Sequence, residues 1–317
     1  MPESSTATST CENHDDQNIE RQPFYRVRNA PDIGLANTNT PTVEQARYRE
    51  VVRSFDGMLS HGLAVSQSLV GVEPGEPHLG FADPIFGKLL CHAISLRKLA
   101  PTSETASAEQ IWDLSSSCAI ARALVESFDA LAYIALAAVG AEELSFRLKL
   151  WQLHDQERRH KMLSSIGSTD PKAEEIRLNA ERLQEEVVAH PYFEHISGNV
   201  KQKIRAFDAP AYHLSKRELC EASFVDHGYY TAATMFLSQY VHTLPMAVNQ
   251  LSEFRAGDPE ATRLMSLPMQ YSMAFLAKSI EGMETVFAPA RVTPTPEVAR
   301  SLELWRSLAR SGVRRVG

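Results

Sequence analysis

Three stretches of this 317-residue chain carry side chains whose types and spacing could do chemistry. On the first, Arg122, Glu126, Asp129 and Tyr133 recur at steps of four, three and four, which stacks them along one helix face. On the second, Arg147, His154 and Lys161 recur every seven residues, with Trp151 inside the line. A guanidinium holds a phosphate and an imidazole titrating near neutrality moves protons, so Arg147 and His154 together suit phosphodiester chemistry. On the third, His227, Thr231, Thr234, Ser238 and His242 share a face. Helical bundles build sites from inward-facing residues on neighbouring helices, so the question is whether these lines converge on one pocket.

Each line also has a plainer reading. Arg122 and Glu126 can be a surface pair, worth a few tenths of a kcal/mol at about the usual exposed-pair value. Arg147 and His154 can belong to a solvated face, and His242 can be one satisfied histidine beside the core. Glu157 and His160 have the Glu-x-x-His spacing that offers a carboxylate and an imidazole to a metal. A di-iron bundle needs that motif twice plus two further carboxylates. The chain has no second copy, and nothing selects Glu126 or Glu221 as partners, so no metal ligands are assigned and no cofactor is expected. A metal-binding helical bundle is the third-ranked reading.

Six residues separate Arg147 from His154, which resembles the Arg-x(4–6)-His pattern of HEPN ribonucleases. In that family the pair is implicated in RNA cleavage, usually across a dimer. The resemblance therefore implies a metal-independent ribonuclease acting on RNA as a homodimer, with Arg147 and His154 as the two positions carried over. Arg122, Glu126 and His242, from the other two helices, complete the candidate catalytic set. The segment from Leu237 to Thr243 is similar to one in uncharacterised bacterial all-helical families, in which an Arg-x-x-x-Glu helix such as Arg122 to Glu126 precedes a Ser-x-x-x-His helix such as Ser238 to His242. That likeness spans about residues 83–249 and implies no activity.

The elements that must position these residues read as helices throughout. Residues 107–138 are apolar around most of the circumference, the mark of a helix inside a globule. Ser107 and Gln110 cap it and Gly140 ends it. Thr42 with Gln45, and Ser215 with Glu218, make further capping boxes, the second opening a long helix to about Thr243. Asp83, Asp170, Asp258 and Thr295 each precede a proline and open a helix, and Pro268 should break or kink the helix that starts at Pro259. With almost no alternating pattern, the fold class is all-α: a single bundle of about eight helices around the 107–138 helix. Residues 1–39 read as a disordered tail, 40–289 as the helical domain, and 290–317 as a linker and a basic amphipathic helix.

Composition narrows the function. A net charge of -7 argues against a general nucleic-acid binder, although Arg300, Arg306, Arg310, Arg314 and Arg315 make the C-terminal end locally basic. Four scattered cysteines without a CxxC pair suit a reducing compartment, with Cys91 and Cys118 expected in buried helical surroundings. No leader pattern and no transmembrane segment is read, since no apolar run reaches roughly 18 residues. The expectation is a cytoplasmic helical module that binds a protein or small ligand, with the HEPN-like ribonuclease as the alternative.

Overall fold

The computed structural model describes residues 42–102, 111–287 and 291–312. These lie within one compact unit, Thr38–Gly317. The expected tail at 1–39 falls outside the described residues, as do Ser107 and Gln110 themselves. The helix expected from residue 107 starts instead at Leu114, capped by Asp113, whose side chain accepts from Ser116 N.

The described residues form eleven α-helices and no strand, so the chain is all-α. They are α1 (Val43–Ser68), α2 (Ala82–Leu99), α3 (Leu114–Leu131), α4 (Ala141–Ser165), α5 (Pro171–Val188) and α6 (Gly198–Arg205). Then come α7 (Lys216–Ala222), α8 (His227–Val241), α9 (Pro245–Glu253), α10 (Pro259–Val286) and α11 (Pro296–Ser311). Short 3-10 turns at Pro77–Phe81 and Pro191–His195 fill two connections.

Local chemistry sets most of the starts. Both capping boxes form, Thr42 with Gln45 and Ser215 with Glu218. The Asp170 and Thr295 side chains accept from the backbone N–H groups of Lys172 and Val298. Asp83 does not cap. The chain enters α2 directly from the Pro77–Phe81 turn, so Phe81 takes the cap position. The helix expected to run from Ser215 to about Thr243 is two helices, because α7 ends at Ala222 and Asp226 caps a new start by accepting from Tyr229 N. Pro268 does not break α10, which continues through it with Met265, Met269 and Met273 all buried. Core packing there outweighs the lost helical hydrogen bond.

The main apolar core joins α1, α2, α3, α8 and α10, with α11 laid on α1 and α10. A smaller cluster, which includes Phe146, Leu150, Val187, Phe193 and Ile204, joins α4, α5 and α6. Between the Leu131 end of α3 and α4 the backbone widens into a π turn, Ala132–Leu136, closed by Ala137 N donating to Ala132 O at 3.0 Å. The stretch from Pro77 to Leu99 alone, among the described residues, is long and apolar enough to cross a membrane, and its helix packs on α3 and α1. Cys118 and Cys220 are buried, which pushes both thiols up; Cys91, expected in buried surroundings, is exposed.

Candidate functional site

The polar line of α3 passes from water into the interior. At its outer end, Arg122 meets Glu126 at 3.1 Å, with the Glu126 side chain 59% exposed. One Arg122 nitrogen, Nη1, is buried without a partner. Two turns on, Asp129 is 4% exposed and accepts from Lys216 Nζ and from the Tyr230 hydroxyl, both at 2.7 Å. Lys216 reaches in from the first turn of α7, about half exposed, and lies over the rings of Tyr212 and Tyr230. Burial and the Asp129 charge push the Tyr230 phenol up, so its hydroxyl stays a donor.

At the inner end, Tyr133 sits in the π turn. Its ring carries the Arg147 guanidinium 4.5 Å from the centroid, and its main-chain carbonyl accepts from Arg147 Nη1 at 2.7 Å. The remaining Arg147 donors go to Glu143, one helical turn back on α4. His213 completes the cluster. Its Nδ1 lies 2.8 Å from the Tyr133 hydroxyl, and its buried Nε2, 3.7 Å from Glu143, has no hydrogen bond. A neutral imidazole that accepts at Nδ1 keeps its proton on Nε2, facing that carboxylate. Burial first, then the nearby Arg147 charge, lower the His213 pKa to about 4. Tyr192 closes the other side, its phenol pushed up to about 12 by burial and Glu143. π turns recur at functional sites, and here the turn presents a carbonyl to a buried cation.

His154 serves a different contact. Its Nδ1 donates to the Ala209 carbonyl at 2.8 Å, while the Ala209 N–H donates to Glu157 Oε2 at 2.6 Å. The two side chains clamp one residue, Ala209, of the segment after α6 by the peptide groups on either side of it. Burial raises the Glu157 pKa to about 7 against the opposing Ala209 bond. The Glu157 and His160 pair therefore holds a loop, with the His160 ring edge-on to Phe207. Among the described residues no three His, Cys, Asp or Glu side chains gather as metal ligands would.

The candidates thus converge in part. The structure joins Asp129 and Tyr133 of the first line to Arg147 of the second, around a void too small for more than a water. It does not join Arg147 to His154, which lie about 10 Å apart along the helix axis by helical rise and spend their polar atoms on different partners. His242 stands exposed at the C-terminal cap of α8, away from a shared pocket. The third contribution comes instead from His213, inside the irregular stretch between α6 and α7, and Lys216, at the start of α7, with no periodicity to reveal them. Glu143 was open to the i,i+4 rule from Arg147.

Fold and site define an all-helical bundle with a polar seam running from surface to interior. No family model matches the chain, and neither does any curated protein or solved structure.

Proposed function

We propose that this protein is a cytoplasmic, non-catalytic helical module that recognises a partner protein or small ligand through the outer end of the seam. The observation that carries this reading is the tethering of Lys216. Its side chain is half exposed, yet buried Asp129 fixes the position of its ammonium and Tyr230 fixes Asp129. A pre-positioned cation suits recognition, because little side-chain freedom remains to be lost on binding; two turns from Asp129 on α3, Arg122 keeps one nitrogen unpaired. Three unpaired cysteines among the described residues accord with a reducing compartment.

The ribonuclease reading requires Arg147 to leave Glu143 and the Tyr133 carbonyl, and His154 to leave Ala209, before either could meet a phosphodiester. The deciding experiment incubates the full chain with mixed-sequence single-stranded RNA, beside His154→Ala. The binding reading expects the same background signal from both. RNA cleavage by the wild type that His154→Ala abolishes, at unchanged circular dichroism, would overturn it.

A further inference from the structure

A groove of about 500 Å3 runs along the outer faces of α4 and α5, with Phe81 also in its wall. That volume lies within the range of small-molecule sites. Its floor is aromatic and aliphatic: Phe81, the half-buried indole of Trp151, and Leu183. Trp151 is backed by Tyr212, with ring centroids 6.0 Å apart, which keeps the indole in place without a ligand.

The rim is polar; one of its amides, Gln156, donates to Asp155 at 3.1 Å, and two are uncommitted. The carboxamides of Gln152 and Asn179 line the groove and bond to no other described residue. A carboxamide offers donors and an acceptor together, which matches hydroxyl groups that also do both. The charges are spent. Arg159 Nε donates to both Asp155 oxygens at 2.9 and 2.8 Å, and Arg182 pairs with Glu186. A phosphorylated or sulfated ligand would therefore find little net positive field, and a purely apolar one would desolvate the amides without replacing their bonds.

We propose that the α4–α5 groove binds a neutral saccharide unit, its C–H face on Trp151 and its hydroxyls on Gln152 and Asn179. Either a free oligosaccharide or a glycan on a larger molecule supplies that chemistry. The groove uses neither Arg122 nor Lys216, so its failure leaves the seam untouched.

The test applies the labelled full chain to an array of neutral, sialylated and sulfated glycans, then titrates the free oligosaccharide of the strongest spot by saturation-transfer NMR. Neutral glycans should bind selectively. Binding of the free oligosaccharide assigns a free sugar, whereas array signal that needs the linked form assigns a glycoconjugate. Gln152→Ala and Asn179→Ala should each weaken binding about fivefold, the loss of one hydrogen bond. Trp151→Ala should abolish it. Because Trp151 also packs on Tyr212, the two amide variants carry the test if that protein misfolds. No neutral glycan bound, a preference for charged glycans, or binding unchanged in the Gln152 and Asn179 double variant would each overturn the proposal.

Discussion

The Arg147 guanidinium donates to the main-chain carbonyl of Tyr133 at 2.7 Å while lying over the ring of the same residue. One cation thus holds both the backbone and the side chain of a residue in the π turn, and so ties α4 to the end of α3. Arg147 is 1% exposed, so the charge is removed from water and is compensated by Glu143 together with the carbonyl and ring of Tyr133. Removing the guanidinium strands the Glu143 carboxylate beside buried rings. Arg147→Met should lower the unfolding free energy by about 3–5 kcal/mol, as for one partner of a buried pair. Arg147→Lys should recover only part, because an ammonium cannot fork between a carboxylate and a carbonyl. Urea unfolding of the three proteins measures this, and a loss under about 1 kcal/mol for Arg147→Met would contradict the arrangement.

Glu157 gives a pH dependence of definite sign. Its pKa is about 7 in the fold against 4.5 ordinarily. Between those values the folded chain holds more protons than the unfolded one, so this group's contribution to stability falls as pH rises from 4.5 through 7. Glu157→Gln keeps an acceptor for the Ala209 N–H and does not titrate. Measured at pH 5 and pH 8, its stability relative to wild type should rise with pH. Parallel stabilities at the two values would mean that the carboxyl is not held from water.

His213 runs the other way. Burial and Arg147 lower its pKa to about 4 from 6.5, so the unfolded chain takes up protons first. Stability from this group is complete above pH 6.5 and is lost as pH falls through 4. The direct check is the ring-proton NMR titration of His213, which should stay in the neutral form at pH 5.5. A midpoint near 6.5 would place the ring in water and remove it from the cluster.

How much of this was legible in the sequence follows the range of each interaction. Caps read well, because Thr42 with Gln45 and Ser215 with Glu218 are settled within one helical turn. The line from Arg122 to Tyr133 was correctly stacked, but its passage from exposed Glu126 to buried Tyr133 depends on α7, α8 and the segment around His213 packing over one end. Periodicity records which residues share a face and not what covers it. His154 shows the limit most plainly. Its partner is the backbone of Ala209, and no side-chain pattern announces a main-chain carbonyl.

Three helix endings lack the glycine that usually occupies their left-handed position. After α6, α7 and α8 the chain closes with paired backbone bonds, as in Phe224 N to Glu221 O and Val225 N to Cys220 O. The left-handed position of that motif holds Phe207, Phe224 and Thr243, at φ of 57°, 54° and 52°, whereas the same motif after α4 uses Gly167. A side chain in that conformation costs about 1–2 kcal/mol, partly offset because glycine loosens the unfolded chain by about 0.4–1 kcal/mol. Phe224 is 73% exposed and has little packing to lose, so Phe224→Gly should raise stability by about 0.5 kcal/mol on this difference. Phe207 is half-buried against His160, so Phe207→Gly should lose packing and lower stability instead. Thermal unfolding of the two variants should move the midpoint in opposite directions. A drop for both would mean that the exposed phenylalanine ring makes a stabilising contact of its own.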